Sequence, residues 1–175
     1  MRFAPTAIAG VTLVELDPAT DDRGAFVRLH CPNEFAAAGH PFVPAQTSLS
    51  RNTRAHTLRG LHYQAAPWAE TKLVRVTRGR VFDVAVDLRP DSPTYRRWTA
   101  AELSADNGRA LLIGAGMAHG FLTLEDDTDV LYQIDRIFEP GHDRGARWDD
   151  PAFGISWPAK PLVISERDAT YPEQA

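Results

Sequence analysis

Two histidines stand where their surroundings could make them reactive. His62 lies in Leu58-Arg59-Gly60-Leu61-His62-Tyr63-Gln64. On a strand, Gly60, His62 and Gln64 share one face and Leu61 and Tyr63 the other. The glycine lets a ligand or another backbone come close, and Arg59 offers a planar donor fork suited to phosphate. His119 sits in the run G-A-G-M-A-H-G-F from Gly114 to Phe121, where three glycines surround one histidine and imply a tight turn that places the ring. The six histidines include no H-x-H, H-E-x-x-H or H-x3-H pair. A metal-binding strand commonly carries two histidines one residue apart with an acid shortly after. Here Gln64 takes the second place, with Glu70 downstream, and glutamine is a poor ligand for Zn²⁺ or Fe²⁺. The residues therefore point away from a metal, and taken alone a strand histidine or a turn histidine is more often structural than catalytic.

Short strands must position these side chains. Glycines (12) and prolines (13) are spread along the chain as punctuation between elements. Thr71–Val76 alternates, and Val81–Leu88 resumes after Arg78-Gly79, which predicts a hairpin turning on the glycine. In Val81–Leu88, Val81, Asp83, Ala85 and Asp87 share one side, and Phe82, Val84, Val86 and Leu88 the other. The second side is wholly apolar and needs a covering layer. The first carries two carboxylates, which either line a partly polar barrel interior or face water. Ala110–Ile113 and Thr128–Ile134 are further strand candidates. Pro32–Gly39 reads as one short helix closed by its glycine. From Asp149 onward, Pro151, Pro158, Pro161 and Pro172 predict an extended loop over the barrel. The fold class expected is all-β, with residues 1–175 as one domain.

Charge narrows the function. Nineteen Lys and Arg against 23 Asp and Glu give a net charge of −4, with no long basic run. General nucleic-acid or membrane-surface binding is not expected. Cys31 is the only cysteine, so neither a disulfide nor a thiolate cluster is expected within the chain. The first residues lack a signal-peptide pattern, and no apolar run approaches the roughly 20 residues that span a bilayer. A cytoplasmic protein is expected.

Six segments fall in a telling order: LRGLHYQ (Leu58–Gln64), KLVRV (Lys72–Val76), G-x-V-x-D-V-A-V-D-L-R (Gly79–Arg89), SPTY (Ser92–Tyr95), AHGF (Ala118–Phe121) and RWDDP (Arg147–Pro151). Together the chain resembles the dTDP-4-dehydrorhamnose 3,5-epimerase family from Asp22-Arg23-Gly24 to Ser165–Asp168. The resemblance implies a cupin-type jelly-roll barrel without a cofactor, a nucleotide-sugar substrate and a homodimer. It implies that His62 removes a proton beside the C4 ketone of a 4-keto-6-deoxyhexose, a task for which histidine titrates in the right range. It assigns Asp168 as the orienting partner of His62, Tyr132 as the acid on the opposite face and Lys72 as the cation near the C4 oxygen. Arg23 and Arg59 become candidates for the phosphates, Phe26 for packing on the base, and Gln46 for the nucleotide or sugar. His119 lines the pocket, bonded to Asp83.

The chain departs from the family pattern in places. Q-x-N is Gln46-Thr-Ser48 here, and an aromatic that is commonly tyrosine is Phe138. Gly114 replaces a proline, and Arg28 stands where glutamate is common. Ser48 and Phe138 leave open whether C3, C5 or both are epimerised. The alternatives are a single-carbon epimerase, a 3,4-ketoisomerase, and a metal-dependent or non-catalytic cupin.

Overall fold

A computed structural model describes residues 1–174. Thirteen strands and two short helices follow one another: β1 (Arg2–Pro5), β2 (Val11–Glu15), β3 (Ala19–Asp21), β4 (Gly24–Phe26), α1 (Pro32–Ala37), β5 (Gln46–Asn52), β6 (Leu58–Gln64), β7 (Lys72–Arg78), β8 (Arg80–Asp87), β9 (Trp98–Ser104), β10 (Ala110–Ile113), β11 (Met117–Thr123), β12 (Thr128–Ile134), β13 (Asp143–Gly145) and α2 (Glu166–Ala169). Six strands form one antiparallel sheet in the order β1-β2-β10-β7-β12-β5, and five form another in the order β13-β6-β11-β8-β9. β3 and β4 form a separate two-stranded ribbon. The all-β cupin-type expectation therefore holds.

The inner faces of the two sheets meet in a core that includes Val74, Val76, Val81, Ala85, Leu111, Phe121 and Val130. On β8 the division of faces is as the alternation requires. Val81 and Ala85 point into that core with Asp83 beside them, and Asp83 and Asp87 are both buried. Val84 and Val86 lie on the outer face, covered by Ala146 and Phe153, with Ile155 and Trp157 packed alongside. The proline-rich segment is thus the layer that the apolar side of β8 demanded. The outer face of the larger sheet has its own cover, Phe35 of α1 and Phe42, packed on Val14, Leu73 and Leu112. Burying a side chain such as Phe35 contributes roughly 1.5–3 kcal/mol. α1 begins with Pro32 in its first turn, where no amide partner is needed, and ends just before Gly39.

One expected pairing is wrong. β7 and β8 occupy the anticipated positions but do not form a hairpin: β7 pairs with β10 and β12, and β8 with β9 and β11. Gly79 alone separates them, too short a link for the two-residue hairpin turn. It is instead a corner between sheets, with φ +75° and Thr128 so close that a Cβ would stand 2.3 Å from its Oγ1. Val74 and Val76 face Val81 and Ala85 across the core because the strands lie on opposite layers. The segment after Asp149 also holds the unanticipated helix α2. No helix among the described residues is long and apolar enough to cross a membrane.

Candidate active site

β6 carries His62 toward the space between the sheets. The β6–β11 pairing shifts between His119 and Phe121. At this point a Cβ on Gly60 would lie 2.6 Å from the Gly120 Cα, so the two backbones approach as only glycine permits. His119 lies directly opposite His62 in the ladder.

Asp168 reaches His62 from 106 residues away, its Oδ1 accepting from Nε2 at 2.8 Å. Its Oδ2 accepts from the Gly60 amide at 3.0 Å. α2 holds the carboxylate there. Ser165 caps the helix, its Oγ accepting from the Asp168 amide at 3.1 Å, so the S-x-x-D spacing is a helix-start signal as well as a source of the acid. Burial opposes the charged form of Asp168, but the hydrogen bonds from His62 and Gly60 outweigh it and hold the carboxyl below its ordinary value. An ionised carboxylate only accepts, so His62 Nε2 carries the proton and Nδ1 keeps its lone pair. The His62 side chain is 44% exposed and that of Asp168 only 7%. The imidazole is accessible and its partner is not.

A second pair lies deeper. His119 Nε2 donates to Asp83 Oδ1 at 2.8 Å, and both side chains are buried, 4% and 0% exposed. Asp83 Oδ2 is buried without a hydrogen-bond partner among the described residues. Tyr132, from the opposite sheet, meets the His119 ring edge-on at 5.6 Å between centroids. Loss of solvent raises the Tyr132 hydroxyl pKa well above that of a free phenol. Asp83 adds to the rise and Arg59 opposes it. Ser48 is the cross-strand neighbour of Tyr132 on β5.

Lys72 is buried and its Nζ touches both sides of the site, donating to the His62 carbonyl at 3.3 Å and pairing with Glu70 Oε1 at 3.1 Å. His62, Lys72 and Phe138 line a cavity of about 240 Å³ with Tyr63, Gln64, Glu70, Asp143, Arg144 and Arg167. Arg167 is ion-paired with Asp143 at its wall. Gln46 Oε1 accepts from the Phe138 amide at 3.0 Å, and Arg59 Nε donates to Asn52 at 2.8 Å. The structure therefore links His62, Asp168 and Lys72 directly, and joins Asp83, His119 and Tyr132 to them through the His62–His119 ladder position.

Arg23 and Phe26 are not brought into this cavity. Both lie on the β3–β4 ribbon, where every strand residue is exposed; Phe26 is 79% exposed and Arg23 is paired with Asp21 at 2.6 Å. The ribbon lies exposed and lines a separate cleft of about 540 Å³. Arg28 pairs with Glu34 at 2.9 Å. Sequence reasoning gave no role to Asp143, Arg144 or Arg167, although Arg167 lies in the quoted S-x-x-D segment, and named Glu70 only as an absent metal's acid.

An imidazole with a free lone pair, an ammonium beside it and a phenol one ring away can remove a proton next to a carbonyl, hold the resulting charge and return a proton. Fold and cavity together define a cupin-type barrel isomerase. The family model described as dTDP-4-dehydrorhamnose 3,5-epimerase matches residues 5–175. A relative of that name from Sinorhizobium fredii is 44% identical over 173 residues, 98% of this chain and 89% of the relative. A crystal structure of the Bacillus anthracis enzyme with TDP and PPi bound superposes with a TM-score of 0.96 at 38% identity, covering 99% of each chain. The Legionella pneumophila enzyme in complex with dTDP-4-keto-L-rhamnose gives 0.91 at 33% identity, covering 97% of this chain and 90% of that one. The chain belongs to the dTDP-4-dehydrorhamnose 3,5-epimerase family.

Proposed function

We propose that the protein epimerises dTDP-4-keto-6-deoxyglucose at C3 and C5, giving dTDP-4-keto-rhamnose. The observation that carries the residue roles is the His62–Asp168 hydrogen bond, which leaves the accessible Nδ1 of His62 as a base. Nδ1 takes the proton from the carbon beside the ketone. The bonding pair moves into the ring, and the C4 oxygen becomes an enolate oxygen. Lys72 stabilises that charge as it develops, where electrostatic stabilisation is most effective. Tyr132 returns a proton from the opposite face, which inverts the carbon. The raised pKa of its hydroxyl keeps the phenol protonated before the transfer. Arg59, Gln46, Ser48 and Phe138 hold the substrate around this set, the buried Asp83–His119 pair backs the wall behind it, and no metal or cofactor takes part.

Residues 1–175 act as one domain, and the working form is a homodimer. The exposed β3–β4 ribbon, the unpaired edge of β5 and exposed Val43 and Leu49 offer surface for a second copy. Arg23 and Phe26 on that ribbon then serve the nucleotide end of a neighbouring site. A cytoplasmic location fits the unpaired thiol of Cys31.

Incubation with dTDP-4-keto-6-deoxyglucose in D₂O tests the reading. Deuterium is expected at C3 and C5 of the product. No wash-in with the dTDP sugar or its CDP, GDP and UDP counterparts overturns it, and label at one carbon alone replaces it with a single-carbon epimerase. Ser48 and Phe138, which remove an amide and a hydroxyl from the family pattern, are the residues on which the choice between one carbon and two turns.

A further inference from the structure

Glu70 has no part in the proton transfers above, yet it is one of the most confined carboxylates beside the cavity. Its side chain and that of Lys72 are each 9% exposed. Oε1 faces the Lys72 ammonium at 3.1 Å, and Oε2 accepts from Gln64 Nε2 at 2.7 Å. Gln64 is itself fixed in orientation, because its Oε1 accepts from the Glu139 amide at 3.0 Å. We infer that Glu70, braced by Gln64, is a positioning residue that aims Lys72 at the carbonyl oxygen of the bound sugar. This rests on the reading of Lys72 as the group that stabilises the enolate oxygen.

The polarity of the chain of bonds makes the case. With Gln64 Oε1 committed to Glu139, its amide nitrogen must donate toward position 70. Lys72 donates toward the same residue from the other side. Position 70 therefore needs an acceptor on both sides, which a carboxylate has and a neutral amide lacks. A lysine ammonium is a point charge on a flexible four-carbon stem, and without such a hold it has no fixed direction. Its three donors divide here between Glu70, the His62 carbonyl and one left for a ligand. Glu70 also supplies a counter-charge to an ammonium that is otherwise poorly solvated. The other cations at the cavity do not compete for it: Arg167 pairs with Asp143, and Arg144 donates to the carbonyls of Gly141 and Asp143. Gln64 thus has a purpose of its own in place of a second histidine.

Steady-state deuterium wash-in on the full-length protein tests this, with thermal unfolding as a check on each variant. Glu70→Gln places an amide N–H against one of the two donors. It is expected to lower kcat about tenfold to a hundredfold, the scale of a small misplacement of a reacting group, with little change in KM. The exchange variant Gln64→Glu/Glu70→Gln restores an acceptor for Glu139, a donor–acceptor pair between 64 and 70 and an acceptor for Lys72; it is expected to recover most of the lost kcat. In a Lys72→Met background, Glu70→Gln is expected to add no further loss. A wild-type kcat for Glu70→Gln, an exchange variant that folds but recovers nothing, or an undiminished effect without Lys72 overturns the inference. Should Lys72→Met alone keep wild-type exchange, the oxyanion reading itself falls, an outcome distinct from a silent Glu70→Gln beside a crippled Lys72→Met.

Discussion

His62 donates to Asp168 and His119 donates to Asp83 over the same 2.8 Å, and the two residues sit opposite each other in the register of one ladder. The surroundings differ. Asp83 comes from the strand next to His119, and both side chains are sealed in the barrel. Asp168 comes from a helix outside the sheets and leaves the ring of its histidine half open. Both oxygens of Asp168 are occupied, whereas one oxygen of Asp83 has no partner among the described residues. A buried histidine pair shapes a wall and tunes its neighbours, as Asp83 does for Tyr132. A pair anchored from behind and open in front can act on a ligand. The hydrogen bond alone does not separate the two roles; access does.

The largest expected effect comes from removing the open ring. His62→Asn should reduce deuterium wash-in by about 10²–10⁴-fold, the usual contribution of a positioned general base, with the unfolding midpoint nearly unchanged. Asp168→Asn should follow at up to about 10⁴-fold, since an amide can present its N–H to the ring and favour the wrong tautomer. Asp83→Ala should reverse the balance. It strands the buried His119 N–H at a cost of about 1–3 kcal/mol of stability, read by denaturant unfolding, while wash-in falls less than for Asp168→Asn. Equal losses of wash-in at the two aspartates would erase the contrast.

A smaller effect is expected in acid. The folded-state pKa of Asp168 lies below its ordinary value of 3.8. Its stabilising contribution is therefore complete above that value and is lost as pH falls through the folded-state value. Unfolding free energies measured downward from pH 5 should decline more steeply for the wild type than for Asp168→Asn, the two curves converging at the acid end. Parallel curves would mean that the carboxylate gains nothing from its two donors.

Strand alternation revealed which side of β8 would be lined with carboxylates and which side needed a cover, because the period of two is a local property. It carries no information on which sheet each strand joins, so Thr71–Val76 and Val81–Leu88 read as a hairpin although only Gly79 separates the strands. The His62–Asp168 contact was legible only through the family resemblance. No local pattern connects positions 106 residues apart, and Asp168 read alone is a loop acid. α2 could have been found, since Ser165 stands three residues before an acid in the manner of a helix start. Glu70 could not, because its importance lies in the orientation of the Gln64 amide, which depends on the Glu139 backbone 75 residues away. Arg23 and Phe26 were assigned by motif, and the ribbon that bears them stays clear of the cavity within one chain.

The segment that brings Asp168 to His62 is held to the barrel differently from the strands. It meets the barrel through an isolated bridge between Thr57 and Val163, the Leu58 amide bonded to the Val163 carbonyl at 2.8 Å, the Leu162 amide bonded to the His56 carbonyl at 2.9 Å, the Asp168 bonds to Gly60 and His62 of β6, and the Arg167 pair with Asp143 of β13. Such a segment can open as its own cooperative unit, with a free energy well below that of the whole molecule. Each opening would leave both sheets intact and the imidazole without its tether. The rate of turnover on warming would then follow the docking equilibrium of this segment, and amide exchange at Asp168 and Ala169 would quicken before that of the core strands β7, β8 and β11.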